Sequence, residues 1–221
     1  MKSINIIPTI VPDSLTAVEE VSEKYAHFAP YFQIDVADGK FAPNTTWMPS
    51  EGDRLPGEFS YEAHLMVSDP HSVGLSFAKA GAHTIIGHIE ALGSIENAAR
   101  AIETWKAAGA RSAGAAVLLQ TPLEDVEPYL SLVDFVQFMT IARIGVQGIP
   151  FEESSIARVA EFRKRHADTV IAVDGGVSEA NIAGLACAGA TRFGVGSAIA
   201  KNQNPEVAYN SLKIAAESAI Q

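Results

Sequence analysis

The chain has 221 residues, of which 48% are hydrophobic and 19% charged, so it can bury a sizeable core and is not built for wholesale disorder. A formal net charge of −10 excludes the basic stripe of a nucleic-acid surface, yet it leaves room for an anionic small molecule held by backbone amides. The single cysteine, Cys187, excludes a disulfide framework or a cysteine-based zinc cluster, and within "LACAGA" it reads as a small core residue.

The first segment, "MKSINIIPTIVPDS", carries one lysine and an apolar run interrupted by Pro8 and Pro12, too short and too broken for a secretory signal to be expected in it. Its "INIIPTI" reads as a strand. In "DSLTAVEEVSEKY", which follows, Leu15, Val18 and Val21 share one side behind an N-cap candidate, so a helix is predicted. "YFQIDVA" is the second strand. Alternation puts Gln33 and Asp35 on one face, and Asp38 falls in the turn beyond. "YEAHLMV" and "HTIIGHIE" carry His64 and His88 late in the third and fourth strands. "SIENAARAIETWKAAG" is a helix stopped at Gly109. "SAGAAVLL" and "FVQFMTI" are strands five and six, and "EESSIARVAEFRKRH" is a helix. "TVIAVDG" ends the seventh strand at Asp174, and "SEANIAGLACAG" is helical. "RFGVGSAI" and "PEVAYNSLKIAAESAI" close the series as strand and helix. The segments after strands 2 and 5 have the weakest helical pattern.

Nearly continuous apolar strands alternating with helices predict a parallel α/β fold covered on both faces. Eight such units occupy 221 residues at roughly 28 each, close to a (β/α)₈ TIM barrel. The barrel is expected as one domain over residues 1–221, since no linker or composition break divides the chain. No G-x-G-x-x-G follows strand 1, which counts against an open doubly wound sheet. Active sites of the barrel lie at the C-terminal ends of the strands, so Asp35, His64, His88 and Asp174 are expected to converge on one mouth. No apolar run approaches the length that spans a bilayer. A soluble, cytoplasmic protein with neither membrane nor nucleic-acid partner is expected.

Several stretches, in order along the chain, resemble the ribulose-phosphate 3-epimerase family. "QIDVADGKFAPNTT" is similar to its H-x-D-x-M-D-G-x-F-V-P-N and "EAHLMVSDP" to its D-x-H-L-M-V-x-x-P. "GHIEA" is similar to its x-H-x-E-A, "FMTI" to its V-M-T-V, and "VDGGV" and "VGSAI" to its strand-7 and strand-8 signatures. The resemblance implies an isomerase that inverts C3 of a ketose phosphate, D-ribulose 5-phosphate to D-xylulose 5-phosphate or similar. Asp35 and Asp174 are implied as the acid/base pair, acting through a metal-stabilised enediolate. The cofactor implied is a divalent ion (zinc, iron, manganese or cobalt) on Asp35, His64 and Asp174. The fourth family ligand, a histidine, is Gln33 here, whose carbonyl oxygen is a weaker ligand. A retained but weaker metal site is expected, with a harder ion such as manganese or magnesium or a metal-free site stabilised by His64 and nearby amides as the alternatives. Met66 and Met139 match an apolar lining, and Ala37 replaces a third methionine, so a roomier pocket is expected. Substrate contacts are implied at Thr9, His64, Gly175, Gly176, Gly196 and Ser197. After strand 6 the family's P-G-F-G-G-Q gives way to "ARIGVQGIPF", with Gly145 and Gly148 in comparable places and Arg143 as a new contact for an anionic substrate. A homo-oligomer, dimer or hexamer, is implied. The rivals are a sugar-phosphate lyase or decarboxylase barrel, against which "DVADGK" lacks the lysine of D-x-K-x-x-D, and a non-catalytic phosphate binder.

Overall fold

Phe32, Ile34 and Val36 on one face of the second strand and Gln33 on the other are all fully buried, as in a strand covered on both sides. The same holds along the chain in a computed structural model that describes residues 3–145 and 149–220. The strands are β1 (Asn5–Ile10), β2 (Tyr31–Ala37), β3 (Ser60–Met66), β4 (Thr84–His88), β5 (Ser112–Val117), β6 (Phe135–Met139), β7 (Val170–Asp174) and β8 (Arg192–Val195). They pair in sequence order, all parallel, and β8 returns to β1 through Asn5↔Arg192 and Pro8↔Val195, which closes the barrel. The predicted (β/α)₈ class is therefore the observed one.

Around the barrel run α1 (Leu15–Tyr25), α2 (Pro70–Ala80), the short α3 (Ile89–Leu92), α4 (Ile95–Ala107), α5 (Ser154–Arg165), α6 (Ile182–Cys187), the short α7 (Ser197–Ala200) and α8 (Pro205–Ser218). Local chemistry starts them: Ser14, Asp69, Ser94 and Asn204 each accept a first-turn N–H with the side chain, satisfying donors the helix itself cannot. The main core lies between barrel and helices, with Trp105, Phe77, Phe138, Phe162 and Phe193 fully buried. A smaller cluster of Ile86, Ala116, Phe135 and Ala172 fills the barrel interior.

Three local readings need revision. The run "RFGVGSAI" is not one strand: Gly196 ends β8 and Ser197 starts α7. No helix follows β2, where a long loop is pinned by the Asp38↔Thr45 bridge, and only two 3₁₀ turns follow β5. Cys187 is exposed rather than a core residue, with its thiol toward the Ala219 carbonyl, because it lies on the outer side of α6 while Leu185 and Ala186 take the core. No helix among the described residues is long and apolar enough to cross a membrane.

Candidate active site at the C-terminal mouth

The barrel alternation turns Gln33, Asp35, His64, His88 and Asp174 inward from four strands. Asp35 pairs in register with His64 across β2 and β3, and Asp174 arrives from β7 on the far side. Gln33 joins the two carboxylates: its Nε2 donates to Asp35 Oδ1 at 2.8 Å and to Asp174 Oδ2 at 2.7 Å. His64 Nδ1 lies 3.2 Å from the first of these oxygens and 3.1 Å from the second. Gln137, from β6, adds a longer contact of 3.4 Å to Asp174 Oδ2. Gln33 and His64 have no exposed surface, and Asp174 is 8% exposed. Two acidic groups are thus held face to face in a nearly dry pocket.

That burial shapes their protonation. Asp35 is pushed above the usual carboxylate range by burial and by the charge of Asp174, against the opposing donors His64 and Gln33. Burial alone would depress His64, but its hydrogen bonds to Asp174 and Asp35 and their charges raise it to about 10. His88 moves the other way, down to about 4, because burial and the neighbouring His64 charge outweigh Glu90. The rings of His64 and His88 stack with their Nε2 atoms 3.0 Å apart.

An open cavity of about 850 Å³ lies above this cluster, lined by Thr9, His64, Met66, Met139, Gly145, Gly175, Gly176, Gly196 and Ser197 together with both aspartates. Gly175 and Gly176 adopt positive φ, and a Cβ on Gly176 would lie 3.1 Å from the Phe151 backbone nitrogen. Arg143 is exposed and is not among the lining residues. Gly148 lies outside the described residues. Ala37 is fully buried in a cluster with Ala42, Met66, Met139 and Ile144 and is not among the residues that line the cavity.

Sequence reasoning missed Asn44 and Ile149, loop residues of the lining with no periodic signal, and it missed Gly194. A Cβ there would lie 3.0 Å from Asp174 Cγ, so the carboxylate occupies its place only because β8 has no side chain at that point. A glycine inside a strand is a recognised sign of such close approach and was available in "RFGVGS".

Asp35, His64 and Asp174 offer ligand atoms within 4.8 Å of one another. Three protein ligands with further positions open is the pattern of catalytic rather than structural metal sites, and two carboxylates with one imidazole suit a divalent ion. The donor set fits. Gln33 departs from expectation, for its amide turns Nε2 and not its carbonyl toward the carboxylates, leaving Oε1 buried and unpartnered. Two carboxylate oxygens ask for donors, and only the amide nitrogen supplies them.

A sequence profile described as the ribulose-phosphate 3 epimerase family matches residues 5–200. Ribulose-phosphate 3-epimerase of Rhodobacter capsulatus is 32% identical over 93% of this chain and 91% of its own, and that of Aquifex aeolicus 33% over 91% of each. The chloroplastic ribulose-5-phosphate-3-epimerase of Arabidopsis thaliana is 34% identical, with the aligned stretch spanning 61% of its length. Among solved structures, 3-hexulose-6-phosphate synthase from Salmonella typhimurium superposes with a TM-score of 0.71 over 98% of this chain and 100% of its own. At 15% identity, that likeness speaks for the barrel alone.

Proposed function

Because the chain belongs to the ribulose-phosphate 3-epimerase family, we propose that it inverts the carbon beside the carbonyl of a ketose phosphate, D-ribulose 5-phosphate being the first candidate. The observation that carries this reading is the pair of carboxylates, Asp35 and Asp174, both within 2.8 Å of one amide nitrogen at the floor of the mouth. Inversion needs one group that takes a proton from one face and another that returns a proton to the opposite face. Asp174, which accepts from the Gln33 and Gln137 amides and faces His64 Nδ1, suits the base. Asp35, pushed up by burial and by Asp174, suits the protonated acid. The C–H bond electrons pass to the carbonyl oxygen as an enediolate forms; Asp35 then protonates the other face, and the roles exchange for the reverse reaction.

Asp35, His64 and Asp174 would hold a divalent ion, which when bound supplies positive charge for the developing oxyanion. Met66 and Met139 give the reacting carbon an apolar, polarizable wall, and Thr9 offers a hydroxyl to the sugar. Gly175, Gly176, Gly196 and Ser197 line the cavity where the loops after strands 7 and 8 commonly hold phosphate. Gly145 borders the cavity beside them, and Arg143, exposed on the same loop, is proposed as a mobile counter-charge to the phosphate. A lyase reading has less support, since Lys40 is exposed on its loop and no lysine among the described residues lines the mouth.

The test is proton exchange. Ribulose 5-phosphate incubated with the protein in D₂O should gain deuterium at C3 as xylulose 5-phosphate appears. Asp35→Asn and Asp174→Asn should each slow this by roughly 10²–10⁴-fold. Carbon–carbon cleavage, or no exchange across a panel of ketose phosphates and divalent ions, rejects the proposal. Arg143→Ala should raise KM with kcat kept; an unchanged KM removes Arg143 from the site.

A further inference from the structure

Behind His64 lies a polar chain that the proton chemistry above does not use. His64 Nε2 faces His88 Nε2 at 3.0 Å, so one proton is shared between two nitrogens. On the far side of its ring, His88 Nδ1 is buried without a hydrogen bond, and Glu90 Oε2 stands 3.5 Å from it, within ion-pair reach. Glu90 is itself held in place: its other oxygen accepts from the Leu118 N–H at 2.9 Å and from Thr121 Oγ1 at 2.5 Å. Both imidazoles are fully buried, so no water competes for these positions.

We propose that Glu90 is a positioning residue that sets, through His88, which nitrogen of His64 is free to bind a divalent cation. A carboxylate only accepts, so it keeps the His88 proton on Nδ1. His88 Nε2 is then an acceptor, and the proton between the rings belongs to His64 Nε2. That leaves His64 Nδ1, the atom facing Asp35 and Asp174, as the one whose lone pair becomes available to a metal. A ligating histidine whose remote N–H is fixed by an outer carboxylate is a general device of metal sites; here a second imidazole is inserted between them. The loop after β5 is part of the same device, since Leu118 and Thr121 fix the carboxylate. The inference rests on the metal reading of Asp35, His64 and Asp174.

Glu90→Gln is the decisive substitution. Its carbonyl oxygen can still accept from Leu118 and Thr121, but its NH₂ now donates to His88 Nδ1. Every proton in the chain then reverses: His88 donates from Nε2, and His64 keeps its proton on Nδ1, facing the carboxylates. Titration of the purified protein with Mn²⁺, followed by calorimetry, should show affinity falling by about 10–100-fold, with thermal stability of the metal-free protein close to wild type. Thr121→Val, which removes one of the two contacts that fix Glu90 without supplying a donor to His88, should lower affinity by less than Glu90→Gln does. Side-chain ¹⁵N spectra of the unmutated protein read the arrangement directly, with His88 protonated at Nδ1 and bare at Nε2. A folded Glu90→Gln protein that binds Mn²⁺ like wild type, or a His88 protonated at Nε2, overturns the proposal. If wild type binds no Mn²⁺ at all, the metal reading fails instead, and the ¹⁵N pattern alone decides whether Glu90 sets the tautomers.

Discussion

Gln33 shows how one amide changes what two carboxylates can do. By donating to both, it holds Asp35 and Asp174 in facing positions without carrying charge, and it leaves its own oxygen unpaired at a cost of roughly 1–3 kcal/mol for a buried acceptor. Gln33→His restores an imidazole to a position between those oxygens. The expected outcome is more metal retained on purification without chelator, measured by elemental analysis; equal content in both proteins would mean that this position does not govern the ion. Strand alternation made the inward placement of Gln33, Asp35 and His64 legible in the sequence. The direction of the Gln33 amide was not, because it depends on Asp174, 141 residues away along the chain, and no local pattern encodes which end of an amide meets it.

At the scale of elements, Asp38 decides the shape of the loop that replaces a second helix. It accepts from the N–H groups of Lys40 and Phe41 at 2.9 Å and from Ser68 N and Oγ at 2.8 and 2.6 Å. The loop after β2 is thereby tied to the turn that leads into α2. Partial burial would raise its carboxyl, but these donors prevail and hold it well below the usual carboxylate range. A depressed folded value means that stability from Asp38 is present above the ordinary carboxylate pKa near 3.9 and is lost as pH falls below it. Asp38→Asn should therefore lower Tm at pH 7 and flatten its decline between about pH 4 and 2, as seen by calorimetry across that range. The strands and the capped helices were legible from apolar runs and from Ser, Asp and Asn starts. The loop was not, since its order comes from side-chain contacts across β2 and β3 rather than from any periodicity. Cys187 failed for a related reason: composition gives a residue's taste for burial, while the side of α6 on which it falls is set by packing.

At the scale of the whole molecule, the barrel interior contains a second buried charge pair, distinct from the site. Arg192 from β8 bonds Glu62 from β3, and its guanidinium lies over the rings of Phe135 and Tyr31 at 4.5 and 5.7 Å. Glu62 is 1% exposed. Removing one member of such a pair strands a charge and typically costs about 3–5 kcal/mol, whereas replacing both by apolar groups of similar size is often neutral. Arg192→Met should lower the urea midpoint markedly, and Glu62→Leu combined with Arg192→Met should recover most of the loss. A double variant no better than the single would show that the pair contributes more than mutual compensation. Eight alternating strand and helix patterns made the closed barrel legible; a salt bridge between strands 3 and 8 carried no signal of its own.

Closure of β8 onto β1 has a consequence for how activity arises during synthesis. Thr9 leaves the ribosome well before Gly196 and Ser197, which border the same cavity. On the proposed mechanism, a nascent chain released up to the sixth strand has Asp35 without Asp174 and lacks the glycines after strands 7 and 8. Two separately expressed half-barrels would each be inert, and turnover would return only when they reassemble.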